Sequence, residues 1–173
     1  VKQLLGVEST TACLSELLYS DEIAIRLHKM GFKAVMTEGA KHILSWKSPN
    51  YVYSSSAAPK LKVLLRNTSL SDELAFHFSD PAWHNFPMEA EKFANILTEL
   101  PEEEQVVNIW VGAETFGLRQ SATTGIFDFL KALPYYALEQ SMGFMTPGEV
   151  AKKIATKDAV VVPYPLTWAG EAK

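Results

Sequence analysis

The 173-residue sequence has only one cysteine, Cys13. A single thiol cannot close an internal disulfide, so nothing implies an oxidising compartment. Long apolar runs are missing as well. Runs such as Ala159 to Pro163 fall far short of the ~20 residues that span a bilayer. No signal peptide is visible. Nor is there a basic excess: 16 Lys and Arg stand against 20 Asp and Glu, a net charge of −4. Nucleic-acid binding wants a basic face, and no Lys/Arg cluster supplies one. His77 and His84 are seven residues apart and lack metal-ligand spacing. No nucleic acid, membrane, metal or cofactor is therefore expected as a partner.

What is present is a globular composition. Hydrophobic residues make up 47% and charged residues 21%, which argues against disorder. A chain of this length buries roughly two-thirds of its unfolded surface, enough for one real core. The first residue is Val1 and not Met, so the chain is expected to begin inside a longer protein. A cytoplasmic location is the expectation that goes with the missing signal peptide.

Strand-like and helix-like segments alternate. Lys2 to Val7 reads as a strand. Ser20 to Met30 reads as a helix, with Ile23, Leu27 and Met30 on one face. Lys33 to Thr37 and Leu61 to Leu65 read as strands. Ser69 to Phe78 reads as a helix with Ser69 as its N-cap. Glu89 to Leu100 is a further helix, burying Ala90, Phe93, Ala94 and Leu97. Val106 to Val111 is apolar on both faces apart from Asn108. That pattern predicts a central strand between helical layers, flanked by the strands ending near Arg66 and Val162. Gly125 to Leu133 reads as a helix ended or kinked at Pro134. Thr146-Pro147-Gly148-Glu149 is a capping signature for a helix to Ile154. Ala159 to Val162 is the last strand.

This order predicts parallel strands with helical crossovers. Four or five such strands do not close a barrel. Either the sheet is open or strands are missing. The connection from Gly39 to Lys60 shows no clear periodicity, and Ser54-Ser55-Ser56 reads as a flexible turn.

Polar residues gather just after the strands, where barrel enzymes place their chemistry. The groups are Ser15-Glu16-Leu17, Thr37 to His42, Arg66-Asn67, and Gly112 to Gly117. A lone Glu before a helix is more often a dipole-stabilising charge than a catalyst. Four such groups are expected to share one rim, bringing Glu16, Glu38, His42, Arg66 and Glu114 together.

The wording of these segments resembles glycoside hydrolase family 57, in its α-amylase-like subgroup. Glu16-Leu17-Leu18-Tyr19-Ser20-Asp21-Glu22-Ile23-Ala24 is similar to the nucleophile region. Phe32 to Leu44, Trp46 to Tyr53, and Leu64 to Phe78 match the segments that follow it. Glu114-Thr115-Phe116-Gly117, with Thr124 to Pro134, resembles the acid/base region and its helix. Val162-Pro163 with Trp168 looks like the end of the catalytic barrel.

The resemblance covers nearly the whole chain. It implies an α/β fold: the C-terminal part of an incomplete seven-stranded TIM-like barrel, with residues 1–173 one piece of that domain and its N-terminal strands missing. It implies a retaining mechanism on α-glucans or maltooligosaccharides, with no cofactor. Such a mechanism needs two carboxyl groups ~5–5.5 Å apart, one attacking and one protonating. Glu16 is then the nucleophile. Glu38, His42, Trp46 and Arg66 are the substrate-binding candidates.

The sequence departs from the family at the second carboxyl. The family usually reads Asp-Tyr-Glu-Thr-Phe-Gly, and this chain has Gly112-Ala113-Glu114-Thr115-Phe116-Gly117. The family's Arg-Asn before the nucleophile is replaced by Cys13-Leu14. Gly112 has no proton to give. Glu114 is the candidate substitute acid. On a strand it would face the same way as Gly112, with its Cα about 6–7 Å further along. Three readings stay open: an impaired glucan-binding domain, an active hydrolase or transferase using Glu114, and a non-catalytic interaction domain.

Overall fold

The computed structural model describes residue 4 and residues 6–171. Of the strand expected at Lys2 to Val7, residues Lys2, Gln3 and Leu5 lie outside this range, and Gly6 and Val7 are not in a strand. The first strand is β1, Thr11–Cys13. Helix α1, Asp21–Lys29, follows it. The Ser20 hydroxyl caps α1 by accepting from the Ile23 amide at 3.3 Å. Asp21 and Glu22 sit in the first turn, and Arg26, His28 and Lys29 in the last, as the helix dipole favours. Ala24 and Leu27 face the core. Met30, expected on that face, caps the helix and is exposed.

Strand β2, Ala34–Thr37, leads into the short helix α2, Lys41–Leu44. Strand β3, Tyr53–Ser55, then occupies the stretch expected to lack structure. Tyr53 and Ser55 are both buried, and Ser54 and Ser55 of the expected turn are strand residues, with Ser56 just beyond. Strand β4, Lys62–Leu65, pairs in parallel with β2, and β2 with β1. Its other edge pairs antiparallel with β3, through Val63 and Lys62. The final strand β5, Asp158–Val160, runs parallel to β3. The sheet order is β1-β2-β4-β3-β5.

The sheet is therefore mixed, which corrects the expectation of parallel strands. It also corrects the central strand at Val106 to Val111. Within that segment, the one sheet pairing among the described residues is a bridge of Asn108 to Arg66. The amides of Gln105 and Val106 both turn to the Asn50 carbonyl instead. The stretch thus meets the end of β4 at Asn108 alone and is otherwise irregular chain.

The molecule divides into two units. The first holds the chain up to Asn67, Glu104–Asn108, and everything from Met145 onward. It contains all five strands. Val35, Tyr53, Leu61, Val63, Leu65, Val160 and Val162 fill its core with Tyr19, Ala24 and Leu27 from the chain between β1 and β2. An antiparallel bridge, Tyr19 to Leu166, joins the chain after β1 to the chain after β5. Burial pushes the Tyr19 phenol up to about 12, against a weaker pull from Ser55. Helix α6, Pro147–Lys153, also belongs here and has the expected capping box between Thr146 and Glu149.

The second unit holds Thr68–Glu103 and Ile109–Phe144. Helix α3, Thr68–Asp72, begins one residue before the expected N-cap and continues as a π-helical turn, Glu73–His77. Helix α4, Ala90–Thr98, packs on α5, Ile126–Glu139. Phe129 of α5 meets Phe93 and Phe78 edge-on at 5.7 and 5.3 Å. Pro134 lies inside α5 and does not end it.

Candidate active site

Glu16 sits on a 3-10 turn, Ser15–Leu17, between β1 and α1. Its backbone is left-handed, at φ 56° and ψ 24°. Leu17 follows at φ 55°. Left-handed backbone crowds the Cβ of an L-residue, and a bulky side chain there is rare. Each such residue costs about 1–3 kcal/mol and persists only where its surroundings enforce it. The surroundings here are specific. The Leu17 amide donates to the Leu14 carbonyl at 3.1 Å, and the Leu18 amide to Ser15 at 3.1 Å. The Leu17 side chain is buried. The Thr37 hydroxyl, buried at the carboxyl end of β2, donates to the Leu17 carbonyl at 3.0 Å. Glu16 itself is exposed. Among the described residues it has no ion-pair partner.

The next two strand ends supply Glu38 and Arg66. They are 1% and 3% exposed. Arg66 Nη1 lies 3.3 and 3.4 Å from the two Glu38 carboxylate oxygens. Glu38 Oε1 also accepts from the Gly39 amide at 3.1 Å. Gly39 is required at this point. A Cβ there would stand 2.2 Å from the Arg66 carbonyl oxygen, so only glycine lets β2 and β4 end side by side.

An amide network extends this floor. Asn67 Nδ2 donates to Asn50 Oδ1 at 3.0 Å, and Asn50 Nδ2 to Glu104 at 2.5 Å. The Asn67 amide donates to the Asn108 carbonyl at 2.9 Å. Asn108 Nδ2 returns a bond to the Leu65 carbonyl at 3.0 Å. His42, on α2, stacks on Tyr164 with centroids 6.0 Å apart and planes within 15°. Trp46 is 87% exposed and follows Ser45, whose φ is also positive at 57° but whose ψ is −110°.

The second unit carries Gly112 and Glu114. They do not lie on a strand. Ala113–Thr115 forms a 3-10 turn, which folds the Glu114 carboxylate back over Gly112. A Cβ on Gly112 would stand 2.3 Å from Glu114 Oε1 and 2.4 Å from Oε2. Position 112 thus has no side chain, and the carboxylate of residue 114 fills the space where one would begin. Arg119 Nη2 lies 3.5 Å from Glu114 Oε1. The Arg119 amide donates to the Glu114 carbonyl at 2.9 Å. Its guanidinium sits 5.0 Å from the Phe76 ring centre, a cation–π contact.

The first unit therefore joins Glu38 to Arg66, ties the Glu16 turn to the residue before Glu38, and pairs His42 with Tyr164. Thr37, Tyr164, Asn50 and Arg119 were not singled out as site residues from sequence. A polar Thr37 closing an otherwise apolar strand was the visible signal for the first. No group of three or more His, Cys, Asp or Glu able to hold a metal ion occurs among the described residues. None of their helices is long and apolar enough to cross a membrane.

The fold is shared with carbohydrate-active enzymes. A 4-alpha-glucanotransferase from Thermococcus litoralis superposes with a TM-score of 0.68 at 17% identity, covering 93% of this chain and 25% of that one. A GH57-type branching enzyme from Pyrococcus horikoshii gives 0.67 at 14%, covering 96% and 41%. The family model described as Glycosyl hydrolase family 57 matches residues 1–163, and this chain belongs to that family. A Methanocaldococcus jannaschii protein named "Putative alpha-amylase" is 38% identical over 162 residues, which are 93% of this chain and 34% of the relative. The chain thus spans about a third of that relative's length.

Proposed function

We propose that this chain is part of a barrel enzyme that acts on or binds α-1,4-glucans by a retaining mechanism, with Glu16 as nucleophile. The names of its relatives support an α-glucan as substrate. The observation that carries the role of Glu16 is its exposed carboxylate on an enforced left-handed turn. Strain of this kind collects at functional sites. His42, Tyr164 and Trp46 offer ring faces to sugars. Glu38 and Arg66 form a buried ion pair at the ends of β2 and β4.

In this reading the second carboxyl is impaired. Position 112 is glycine, and general acid help is typically worth 10²–10⁴-fold. One observation favours a second reading, in which Glu114 replaces the lost acid: its carboxylate already lies over Gly112. Arg119 competes with any leaving oxygen for that carboxylate, which keeps the impaired reading first. The test is maltooligosaccharide binding and hydrolysis by the full-length protein. Binding with little turnover supports the first reading. Turnover lost in both Glu16→Gln and Glu114→Gln supports the second. With neither binding nor turnover, the barrel has another use.

A further inference from the structure

The geometry points to Thr37 as the positioning residue for Glu16, an inference that rests on Glu16 being the nucleophile. Two successive left-handed residues do not hold themselves. The local bonds of the turn, from Leu17 to Leu14 and from Leu18 to Ser15, close it but do not anchor it to the sheet. The side-chain hydrogen bond that ties it to a strand comes from Thr37, twenty residues later in the chain. Thr37 pairs with Leu65 in the parallel register of β2 and β4, so its backbone is fixed. It is buried, so no water competes for its hydroxyl. The next residue, Glu38, is locked to Arg66. Thr37 therefore transmits the rigidity of the sheet to the Leu17 carbonyl, and so to the backbone that carries Glu16. It touches no substrate in this role.

The inference separates hydroxyl from shape. Thr37→Val keeps the volume and the strand preference but removes the donor. Thr37→Ser keeps the donor and loses a methyl group. A positive φ brings a residue's Hα close to its own amide hydrogen, giving a strong intraresidue NOE. In the isotopically labelled chain, Glu16 and Leu17 should show that signature. Thr37→Val should lose it while resonances elsewhere in the sheet stay in place, and Thr37→Ser should keep it. If Thr37→Val retains both signals, the inference is overturned. If Thr37→Val does not fold, Thr37→Ser decides: release of the turn there overturns it equally.

A second readout bears on the chemistry. In the full-length protein, 5-fluoro-α-glucosyl fluoride traps a retaining nucleophile as an ester without needing an acid, because fluoride leaves unprotonated. The ester should map to Glu16. Its formation should slow by about three- to tenfold in Thr37→Val, the loss of one hydrogen bond's worth of positioning, with recovery in Thr37→Ser. No ester in any form removes the nucleophile reading, while the NOEs still decide whether Thr37 holds the turn.

Discussion

The two carboxylates with a catalytic claim are held in opposite ways. Glu16 stands on a backbone that is strained and anchored, with a free side chain. Glu114 stands on an ordinary turn, and its side chain folds onto Gly112 and pairs with Arg119. One position is enforced by buried structure and the other by a half-exposed ion pair. Structure that costs free energy to hold implies a requirement on Glu16. The arrangement around Glu114 can change with little loss. Under the proposed function, Glu16 keeps an enforced position while residue 112 offers no side chain to donate a proton.

The largest effect should come from the enforced side. Glu16→Gln should abolish covalent trapping and lower any turnover by on the order of 10⁴-fold or more, as removal of a nucleophile does, measured on the full-length protein. Glu114→Gln should change maltooligosaccharide turnover little. Equal losses from both would erase the contrast.

Next come the two ion pairs, Glu38 with Arg66 and Glu114 with Arg119. Arg66→Met takes the guanidinium away from the buried Glu38 carboxylate and should cost about 3–5 kcal/mol in urea unfolding. Joint replacement of both by apolar residues should recover much of it. Arg119→Gln breaks a pair whose side chains are 41% and 44% exposed and should cost less than about 1 kcal/mol. A larger loss would show that Arg119 is structural through Phe76.

Tyr19, which follows the Glu16 turn, gives a smaller and pH-dependent effect. Burial lifts its phenol from the ordinary 10.0 to about 12. Its contribution is fully present below pH 10 and is lost as pH rises through 12. The loss across that range is about 2.7 kcal/mol at most. Alkaline unfolding followed by phenolate absorbance checks this, and Tyr19→Phe should flatten the curve. The smallest effect belongs to α6. Hydrogen bonds from Thr146 hold Glu149 below the usual carboxylate range, so its cap is present at neutral pH and frays as acid protonates it. Amide exchange at Glu149 and Val150 should report that, with global stability unchanged.

What the sequence made legible was mostly local. The caps at Ser20 and Thr146 are short patterns with one meaning, and both are present. Strand β3 was hidden because three serines resemble a turn, yet burial of Tyr53 and Ser55 overrides that preference. The segment 106–111 looked central because it is apolar on both sides. Apolar pattern specifies burial and not pairing, and the segment pairs only where Asn108 meets Arg66, just past β4. The strain at Glu16 was not legible at all. It depends on Thr37, whose contact with Leu17 exists only after β2 has formed. Likewise, the turn at Ala113–Thr115 puts the Glu114 carboxylate where strand geometry would have carried it away.

The central claim is that the nucleophile survives while the proton donor at position 112 does not. The most direct test compares two substrates in the full-length protein: maltosyl fluoride, whose leaving group needs no proton, and maltotriose, whose leaving sugar does. The fluoride should be cleaved, while maltotriose should lag an intact relative by roughly 10²–10⁴-fold. Gly112→Asp should restore part of the maltotriose rate, pushing the flexible Glu114 carboxylate aside. Ordinary maltotriose rates in the unaltered protein, abolished by Glu114→Gln, would contradict it and make Glu114 the acid.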